Sequence, residues 1–454
     1  MARRADQGAV SVDTNNATGR RFFRAFRGVL CVATLLTTRE ILNETLRLFE
    51  NELAFTSTIT KRYDDRFARA GAKRGDSISV RLPVQFEVYD GEVYVPQQIV
   101  ERDVPIVLDR RKHVGFDYQN IDLTLSMDQF AERYLASPVS RLANVMDSDG
   151  LTVAYQNVAN TVGTPGVAIS TEDPFLEAGV VLDDEAVPRA RRVAVLSSRM
   201  HMGLNLAVKG QFNPQATIGD VQTNGLFARK FLGIDRWHMD QNVQRHTVGA
   251  LGTAGTPTSA FLMDEVHVQA ADTADTSTIH IDGADSGTAI LKKGDVLQIT
   301  DVNGVNPVSG QSYGRRRDFV VQADVTAVGV DADVVVAPAI RATGPYKTVD
   351  ALPANNAPIF VFAKGTANYG DIDGVQSPQG LIYHPEFMAL AMADLAMESD
   401  GSGAMQERIS SKKSGISILM TKQFEARTMT TICRLDILYG WKVLRREMAV
   451  RVAA

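Results

Sequence analysis

The stretch from Ser126 to Gly163 carries the longest helical pattern in the sequence, and it constrains the fold more than any other stretch. Its second part opens with Ser137-Pro138, a capping residue followed by the residue whose missing N–H is tolerated at the first helical position. It closes at Gly163, with Pro165 just beyond. We therefore predict a helix of about 35 Å, at about 1.5 Å rise per residue, as the spine of the fold.

The predicted spine is amphipathic. Four apolar residues fall close to one face of it: Leu142, Met146, Val153 and Val158. Three polar residues fall elsewhere: Asp147, Asp149 and Gln156. An ordinary core helix gives the same pattern, so the function has to be inferred from the neighbouring segments.

Length and composition limit the class of protein. At 454 residues the chain is too long for one compact core and implies two or three folding units. With 44% hydrophobic and 22% charged residues it resembles a soluble globular protein, and no apolar run approaches the ~18 residues of a membrane span. A net charge of -5 argues against general affinity for duplex nucleic acid, although one basic face could still contact phosphate.

The two cysteines and the N-terminus set the expected compartment. Cys31 and Cys433 are too few for a disulfide framework or a structural zinc site, so we expect reduced thiols in a cytosolic setting. Residues 1–36 place arginines before a short apolar run, as a signal peptide does, but no cleavage pattern follows. We leave residues 1–36 unassigned. Two interpretations stay open: a basic arm that becomes ordered only on assembly, and an extension that results from a wrongly chosen start codon.

A helix and an extended ribbon precede the spine. Thr37 and Glu40 form a capping box for a helix with one apolar stripe, which consists of Leu42, Leu46, Phe49 and Leu53. The sequence then alternates as a strand does, and Asp90-Gly91 occupies the place of a two-residue hairpin turn. We predict a long, twisted two-stranded ribbon from Ile78 to Leu108. Two strands bury little surface, so we expect this ribbon to lie on another subunit.

Beyond the spine the pattern changes twice. A helix ending at Pro188, followed by a buried strand and a short helix in 191–208, indicates a mixed α/β region. From Gly249 to Ala363 short strands alternate with turn clusters, which predicts an inserted all-β barrel of about six strands. The α/β character then returns, and the chain ends in three strand-like runs.

No recognisable catalytic or metal-binding pattern is present. Phosphate-binding loops, dinucleotide fingerprints and zinc-binding helices are all missing from the sequence. His280 and Asp282 share one strand, a pattern that is more often a surface pair than a metal site. Arg315, Arg316 and Arg317 form a possible anion or neighbour contact on a barrel loop, although solvated charge is the simpler interpretation. We predict no catalytic, cofactor-binding or metal-binding residue, which favours a structural protein over an enzyme.

The order of the segments resembles a known family over residues 37–454. The runs that carry the resemblance are YDDRFARAGAKRGDSISVRLP, DLTLSMDQFAERYLASPVSRLANVMDSDGL, LKKGDVLQI, RDFVVQADVTAV and RLDILYGWKVLRREMAVRV. Together they resemble the major capsid protein of tailed bacteriophages, and more narrowly the coat-protein family of the Salmonella phage P twenty-two. The resemblance implies an α+β fold of the Hong Kong ninety-seven type, with an N-arm, an E-loop, a P-domain containing the spine helix, an A-domain and an inserted all-β barrel.

The resemblance also implies a division of the chain. Its parts are an unassigned basic extension (1–36), the N-arm (37–75), the E-loop (76–116), the spine region of the P-domain (117–165, with the spine at 126–163), the first part of the A-domain (166–248), the inserted barrel (249–364), and the second part of the A-domain with the C-terminal strands of the P-domain (365–454).

The function implied is that of a shell subunit. Copies would assemble in the bacterial host cytoplasm as pentamers and hexamers, with a scaffolding protein and a portal protein, into an icosahedral head that holds double-stranded DNA non-specifically. No cofactor and no membrane are implied. The E-loop would lie across a neighbouring subunit and bury Phe86, Tyr89 and Tyr94 there, because aromatic side chains contribute strongly to interfaces.

Two other functions stay open at this point. One is an enzyme with an unrecognised site in the α/β half and the barrel as a substrate module; the other is a different virion part, such as a head decoration or tail protein.

The fold's namesake cross-links its shell through a lysine on the E-loop. Here Ser77 to Asp109 contains no lysine, and Lys73 and Lys112 lie only at its base, so we predict a shell held by non-covalent contacts.

Overall fold

The computed structural model describes residues 38–63, 75–92, 94, 96–119, 127–208, 230–251, 261–284, 289–364, 371–397, 404–411 and 415–454. The extension 1–36, with Cys31, and the predicted cap at Thr37 lie outside these residues. The α-helices, numbered along the described chain, are α1 (Thr38–Glu52), α2 (Phe55–Thr58), α3 (Met127–Phe130), α4 (Ala136–Asn157), α5 (Asp173–Asp184) and α6 (Ser198–Val208). A π-helical turn, Ala131–Leu135, joins α3 to α4.

Helix α1 buries the apolar stripe that its spacing predicts. Leu42, Phe49 and Leu53 are buried and Leu46 is partly buried, all in the core that α1 shares with α4. The i, i+4, i+7 spacing places these residues on one side of a helix, so a single packed face is enough to hold it.

The spine helix has no second start at Ser137-Pro138, where the sequence predicted one. It runs without a break from Met127 through the π-helical turn into α4, so Ser137-Pro138 lies inside the helix and does not begin it. Pro138 has no N–H to donate to the carbonyl of Tyr134, four residues back. Tyr134 belongs to the π-helical turn, where the ordinary α-helical ladder is already interrupted, and the proline is accommodated there.

The spine helix ends earlier than predicted. It ends at Asn157, and Thr161–Gly163 form strand β5, which pairs in parallel with β20 (Ala449–Ala453). Gly163 has a φ of +81°, and a Cβ there would lie 2.3 Å from the carbonyl oxygen of Ala453. The glycine is therefore required by the close approach of two backbones, and the helix does not end on it.

Asp147 is buried, although its position in the pattern placed it outside the apolar face. Its carboxylate accepts hydrogen bonds from the backbone N–H groups of Ala54 (2.9 Å), Phe55 (3.2 Å) and Thr56 (3.0 Å), and from the Thr56 hydroxyl. Burial raises the pKa of Asp147, and the donors at Ala54 and Thr56 oppose that shift. Asp147 thus fixes the start of α2 to the spine helix.

The first sheet is organised around a long C-terminal strand. Its strands are β1 (Thr60–Tyr63), β4 (Arg110–Gln119), β16 (Met388–Met392), β17 (Met405–Ser411), β18 (Ile416–Glu425) and β19 (Thr430–Val443). Strand β19 pairs with β16, β18 and β4. The three strand-like runs predicted at the end of the chain are confirmed as β18, β19 and β20.

A second sheet forms the α/β part. It contains β5, β6 (Val193–Leu196), β7 (Arg236–Met239), β8 (Arg245–Thr247), β15 (Gln376–Tyr383) and β20, in the order β5-β20-β15-β6-β7 with β8 beside β15. Helix α5 leads from β5 to β6, and α6 leads from β6 to the parallel strand β7. The Trp237 ring on β7 contacts Phe175 of α5 and His201 of α6, so both helices cover one face. The strand and helix predicted in 191–208 are confirmed.

The region from 249 to 364 forms a barrel with its own core. Its six strands are β9 (Leu262–Met263), β10 (Ser277–Asp282), β11 (Val296–Val305), β12 (Ser312–Val321), β13 (Ala332–Ala337) and β14 (Ile359–Val361), in the order β14-β11-β12-β13-β10-β9. The chain at β9 also bonds to the chain at β14, since Ile359 N–H donates to the Phe261 carbonyl at 2.9 Å. The sheet therefore closes on itself, and its core includes Val248 and Ile372 from the flanking chain.

Candidate assembly surface

The predicted E-loop has a packed, two-stranded base. Strands β2 (Ser77–Arg81) and β3 (Asp103–Val107) pair antiparallel, and alternate residues of each are buried. The buried residues Ile78, Val80, Val104 and Ile106 join a cluster with apolar residues of the first sheet. This base is therefore anchored on the chain's own sheet through one apolar face.

The paired strands are much shorter than the ribbon predicted from Ile78 to Leu108. The ladder stops at Arg81 and Asp103, followed only by the bond from Leu82 N–H to the Arg102 carbonyl. Pro83 and Pro96, which lie beyond this point on the two arms, have no N–H for a ladder. The prediction of a continuous ribbon is wrong for this physical reason.

A side chain replaces the backbone ladder nearer the tip. The Gln97 amide accepts a hydrogen bond from the Glu87 N–H at 2.9 Å and donates one to the Glu87 carbonyl at 2.5 Å. The chain bends at Gly91, where φ is +112°, so the reversal lies where Asp90-Gly91 was placed. No paired strands flank it among the residues described on either side, which distinguishes it from the hairpin turn predicted.

The three aromatic residues predicted to contact a neighbour are on this unpaired segment and point into solvent. Their side chains are 60% (Phe86), 49% (Tyr89) and 85% (Tyr94) exposed. The Tyr89 hydroxyl donates to Glu87 at 2.8 Å, which raises the pKa of Tyr89 and holds its ring near that carboxylate. Val88 and Ile99 on the same segment are also exposed. A large amount of apolar surface is thus concentrated on 86–99.

The return arm of the E-loop is held by the barrel, a contact that the sequence did not indicate. Arg102 forms an ion pair with Asp275, and its guanidinium lies over the Tyr346 ring, 5.3 Å from the centroid. The Tyr346 hydroxyl donates to the carbonyl of Val100 at 2.9 Å. We call these four residues the clasp. Its contacts join an arm residue to a barrel residue more than 170 positions away along the chain, so no local pattern connects them.

The arginine triplet lies on strand β12, and its predicted position on a barrel loop is wrong. Arg317 is buried and pairs with the buried Glu185, which follows α5. Arg315 pairs with Asp318 at 3.2 Å. The third member, Arg316, stacks over the Phe360 ring at 4.2 Å. The triplet thus makes contacts within the chain, where solvated charge was the simpler expectation.

The histidine and cysteine side chains of the described residues are not gathered into a metal cluster. The described residues contain no group of three or more His, Cys, Asp and Glu side chains placed to hold a metal ion. His280 is exposed and contacts Asp333 and Glu265 on the barrel surface. Cys433 is buried as a free thiol, and burial raises its pKa to about 12. Among the described helices, none combines the length and hydropathy needed to cross a membrane.

Comparison with known proteins identifies the family. The chain matches the family described as P22 coat protein, gene protein 5, over residues 33–452. No curated protein matches it by sequence.

Solved structures similar to the chain include two from phages and one isolated domain. A chain of Mycobacterium phage Che8 is 11% identical, with 88% of this chain and 90% of that chain covered and a TM-score of 0.41. The capsid structure of the Cyanophage P-SCSP1u is 11% identical, with 88% of each chain covered and a TM-score of 0.38. The CUS-3 coat protein I-domain is 24% identical over 24% of this chain and 98% of that chain, with a TM-score of 0.19.

At TM-scores of this size the structural likeness adds no weight, and the assignment rests on the family match. That match covers nearly all of the chain, including the α/β part, the barrel and the C-terminal strands. The chain therefore belongs to the P22 coat protein family and is a major capsid protein, a structural subunit of a phage shell.

Proposed function

We propose that copies of this chain assemble as pentamers and hexamers into an icosahedral head, and that the E-loop of each copy packs on its neighbour. The observation that carries the proposal is the apolar surface on 86–99. Phe86, Tyr94 and Val88 are 60%, 85% and 95% exposed on a segment that has no ladder of its own. Such a surface marks a contact with a partner, and a second copy is always available in a shell.

The base and the clasp give this contact its geometry. The base fixes the root of the E-loop on the first sheet, and the clasp fixes its return arm on the barrel. The exposed aromatic residues then project from an anchored segment, which reduces the entropy lost when a neighbour binds them. We also propose the division of the chain that the resemblance implies: N-arm 37–75, E-loop 76–116, spine region 117–165 and barrel 249–364.

Other parts of the proposal concern partners. We propose that a scaffolding protein and a portal protein take part in assembly in the host cytoplasm, and that the shell encloses double-stranded DNA without reading its sequence. The net charge of -5 favours loose contact with DNA over tight general binding. We also propose that the chain has no catalytic role and that the shell is held by non-covalent contacts, because 77–109 lacks a lysine nucleophile.

Limited proteolysis tests the E-loop contact. We expect the isolated subunit to be cut first near Asp90-Gly91, and the assembled shell to be protected there, because a neighbour covers the segment. Equal cleavage in both states would contradict the proposal.

Matched variants test the same contact by assembly yield. Phe86→Ser with Tyr94→Ser should leave the circular dichroism and melting of the subunit unchanged but reduce shell formation seen by electron microscopy. Val328→Ser is the control, since Val328 is 84% exposed on a barrel turn and lies outside the E-loop. Normal shell yield from the double variant would rule out these residues as the contact.

A further inference from the structure

A cavity of about 260 Å³ lies where three separate parts of the chain meet. One wall is the E-loop just beyond its base, at 82–85 and Arg102, another is the barrel, and the third is the segment 444–447 just before β20. The clasp residues Arg102, Asp275 and Tyr346 line it as well. Anything bound here would contact the E-loop, the barrel and the C-terminal strands at once.

The cavity wall carries an excess of positive charge. Six basic side chains line it: Arg102, Arg317, Arg341, Lys347, Arg445 and Arg446. Only three acidic side chains do: Glu185, Asp275 and Glu447. Each acid is already paired with one of the basic residues, Asp275 with Arg102, Glu185 with Arg317, and Glu447 with Arg445.

Three cations of the wall therefore have no carboxylate partner among the described residues. Arg341 donates to the carbonyls of Ala271 and Ala274, and Arg446 donates to the carbonyl and side-chain oxygens of Asn157. These are neutral acceptors, and burial lowers the pKa of both guanidinium groups, as expected for buried cations without enough counter-charge. Lys347 is the third.

Arg317 adds a buried cation to the same wall. Its side chain is 5% exposed, and only Nη1 is engaged, by Glu185 and the Tyr313 hydroxyl. Its buried Nε has no hydrogen-bond partner in the described part of the chain. Because protein atoms bury that Nε, an anion in the cavity would act on Arg317 through its charge and not through a hydrogen bond to Nε.

We propose that this cavity binds a compact oxyanion of the phosphate class, such as inorganic phosphate or pyrophosphate. Guanidinium groups match phosphate oxygens in geometry and charge, and the excess of three positive charges matches a multiply charged anion. Bound anion links the barrel to the root of the E-loop and to the segment before β20. The site is independent of shell assembly, because all of its walls come from one chain.

Calorimetric titration of the full-length chain with pyrophosphate, at constant ionic strength, tests the site. We expect saturable binding of one anion per chain, with inorganic phosphate competing more weakly. Lys347→Gln should weaken binding about tenfold or more, because a charged hydrogen-bonding group is lost. Lys293→Gln is the matched control, since Lys293 is exposed on the same barrel and does not line the cavity, and it should bind as the wild type does.

Hydrogen exchange locates the bound anion. Pyrophosphate should slow amide exchange in 346–348 and 444–447 in the wild type and not in Lys347→Gln. Absence of saturable binding, equal weakening in both lysine variants, or protection elsewhere in the chain would overturn the proposal. Succinate binding as tightly as pyrophosphate would overturn the assignment to the phosphate class.

Discussion

The buried ion pair between Arg317 and Glu185 determines how strongly the barrel is held to the α/β part. Arg317 lies on β12 of the barrel, and Glu185 follows α5. Their side chains are 5% and 1% exposed, and the Tyr313 hydroxyl donates to Glu185 at 3.0 Å. Burial of two charges is tolerated because each neutralises the other, so removing one partner leaves the second uncompensated.

The predicted loss of stability on removing Arg317 follows from this burial. Arg317→Ala should lower the free energy of unfolding by about 3–5 kcal/mol, the usual cost of leaving a buried charge unpaired. Arg316→Ala is the matched control on the adjacent residue. It removes only the stacking of the guanidinium over Phe360, which contributes about 0.5–1 kcal/mol at such sites. Arg317→Met combined with Glu185→Met removes both charges and should recover most of the loss.

Urea unfolding measures these differences. The two tryptophans, Trp237 and Trp441, both belong to the core outside the barrel, so their fluorescence follows that core, while circular dichroism follows the whole chain. We expect Arg317→Ala to shift the transition to lower urea by both probes. The reasoning is refuted if Arg317→Ala costs no more than Arg316→Ala, or if the double methionine variant is as unstable as Arg317→Ala.

Three further predictions concern the E-loop, the barrel and the shell. Gly440→Ala should lower the free energy of unfolding by about 1–3 kcal/mol and loosen the E-loop base, because a Cβ there would lie 2.0 Å from the Val107 carbonyl oxygen. Melting temperature and amide exchange measure this effect. A similar loss of stability in Gly115→Ala, where the nearest atom is 3.7 Å away, would contradict the prediction. The fragment 246–374 should give a dispersed amide NMR spectrum and melt higher than 249–364, because it includes Val248 and Ile372 of the barrel core; collapsed spectra from both would count against an independent barrel. Boiled particles should run on a denaturing gel as one band near 49.5 kDa, and a ladder of multiples that survives reducing agent would show covalent cross-links.

Local periodicity determined those parts of the fold whose residues pack through one face. The stripe of α1, the strand and helix in 191–208, the barrel strands and the three C-terminal strands all follow from spacing along a short segment. For the candidate surface, the sequence placed the chain reversal at Asp90-Gly91 and the aromatic residues beside it. It could do so because turn chemistry and apolar content are properties of neighbouring residues.

Tertiary structure decided which polar residues are buried and where the hydrogen-bonded pairing of strands ends. Asp147 and Arg317 read as surface charges in the sequence, yet both are buried, because their partners Thr56 and Glu185 lie 91 and 132 residues away. The contact of Arg102 with Tyr346 and the parallel pairing of 161–163 with β20 join segments that lie still farther apart in the sequence. A hydropathy pattern records only which face a residue occupies on its own helix or strand. Whether a charge on that face meets solvent or a partner depends on segments that the fold brings together, and so only the folded chain decides it.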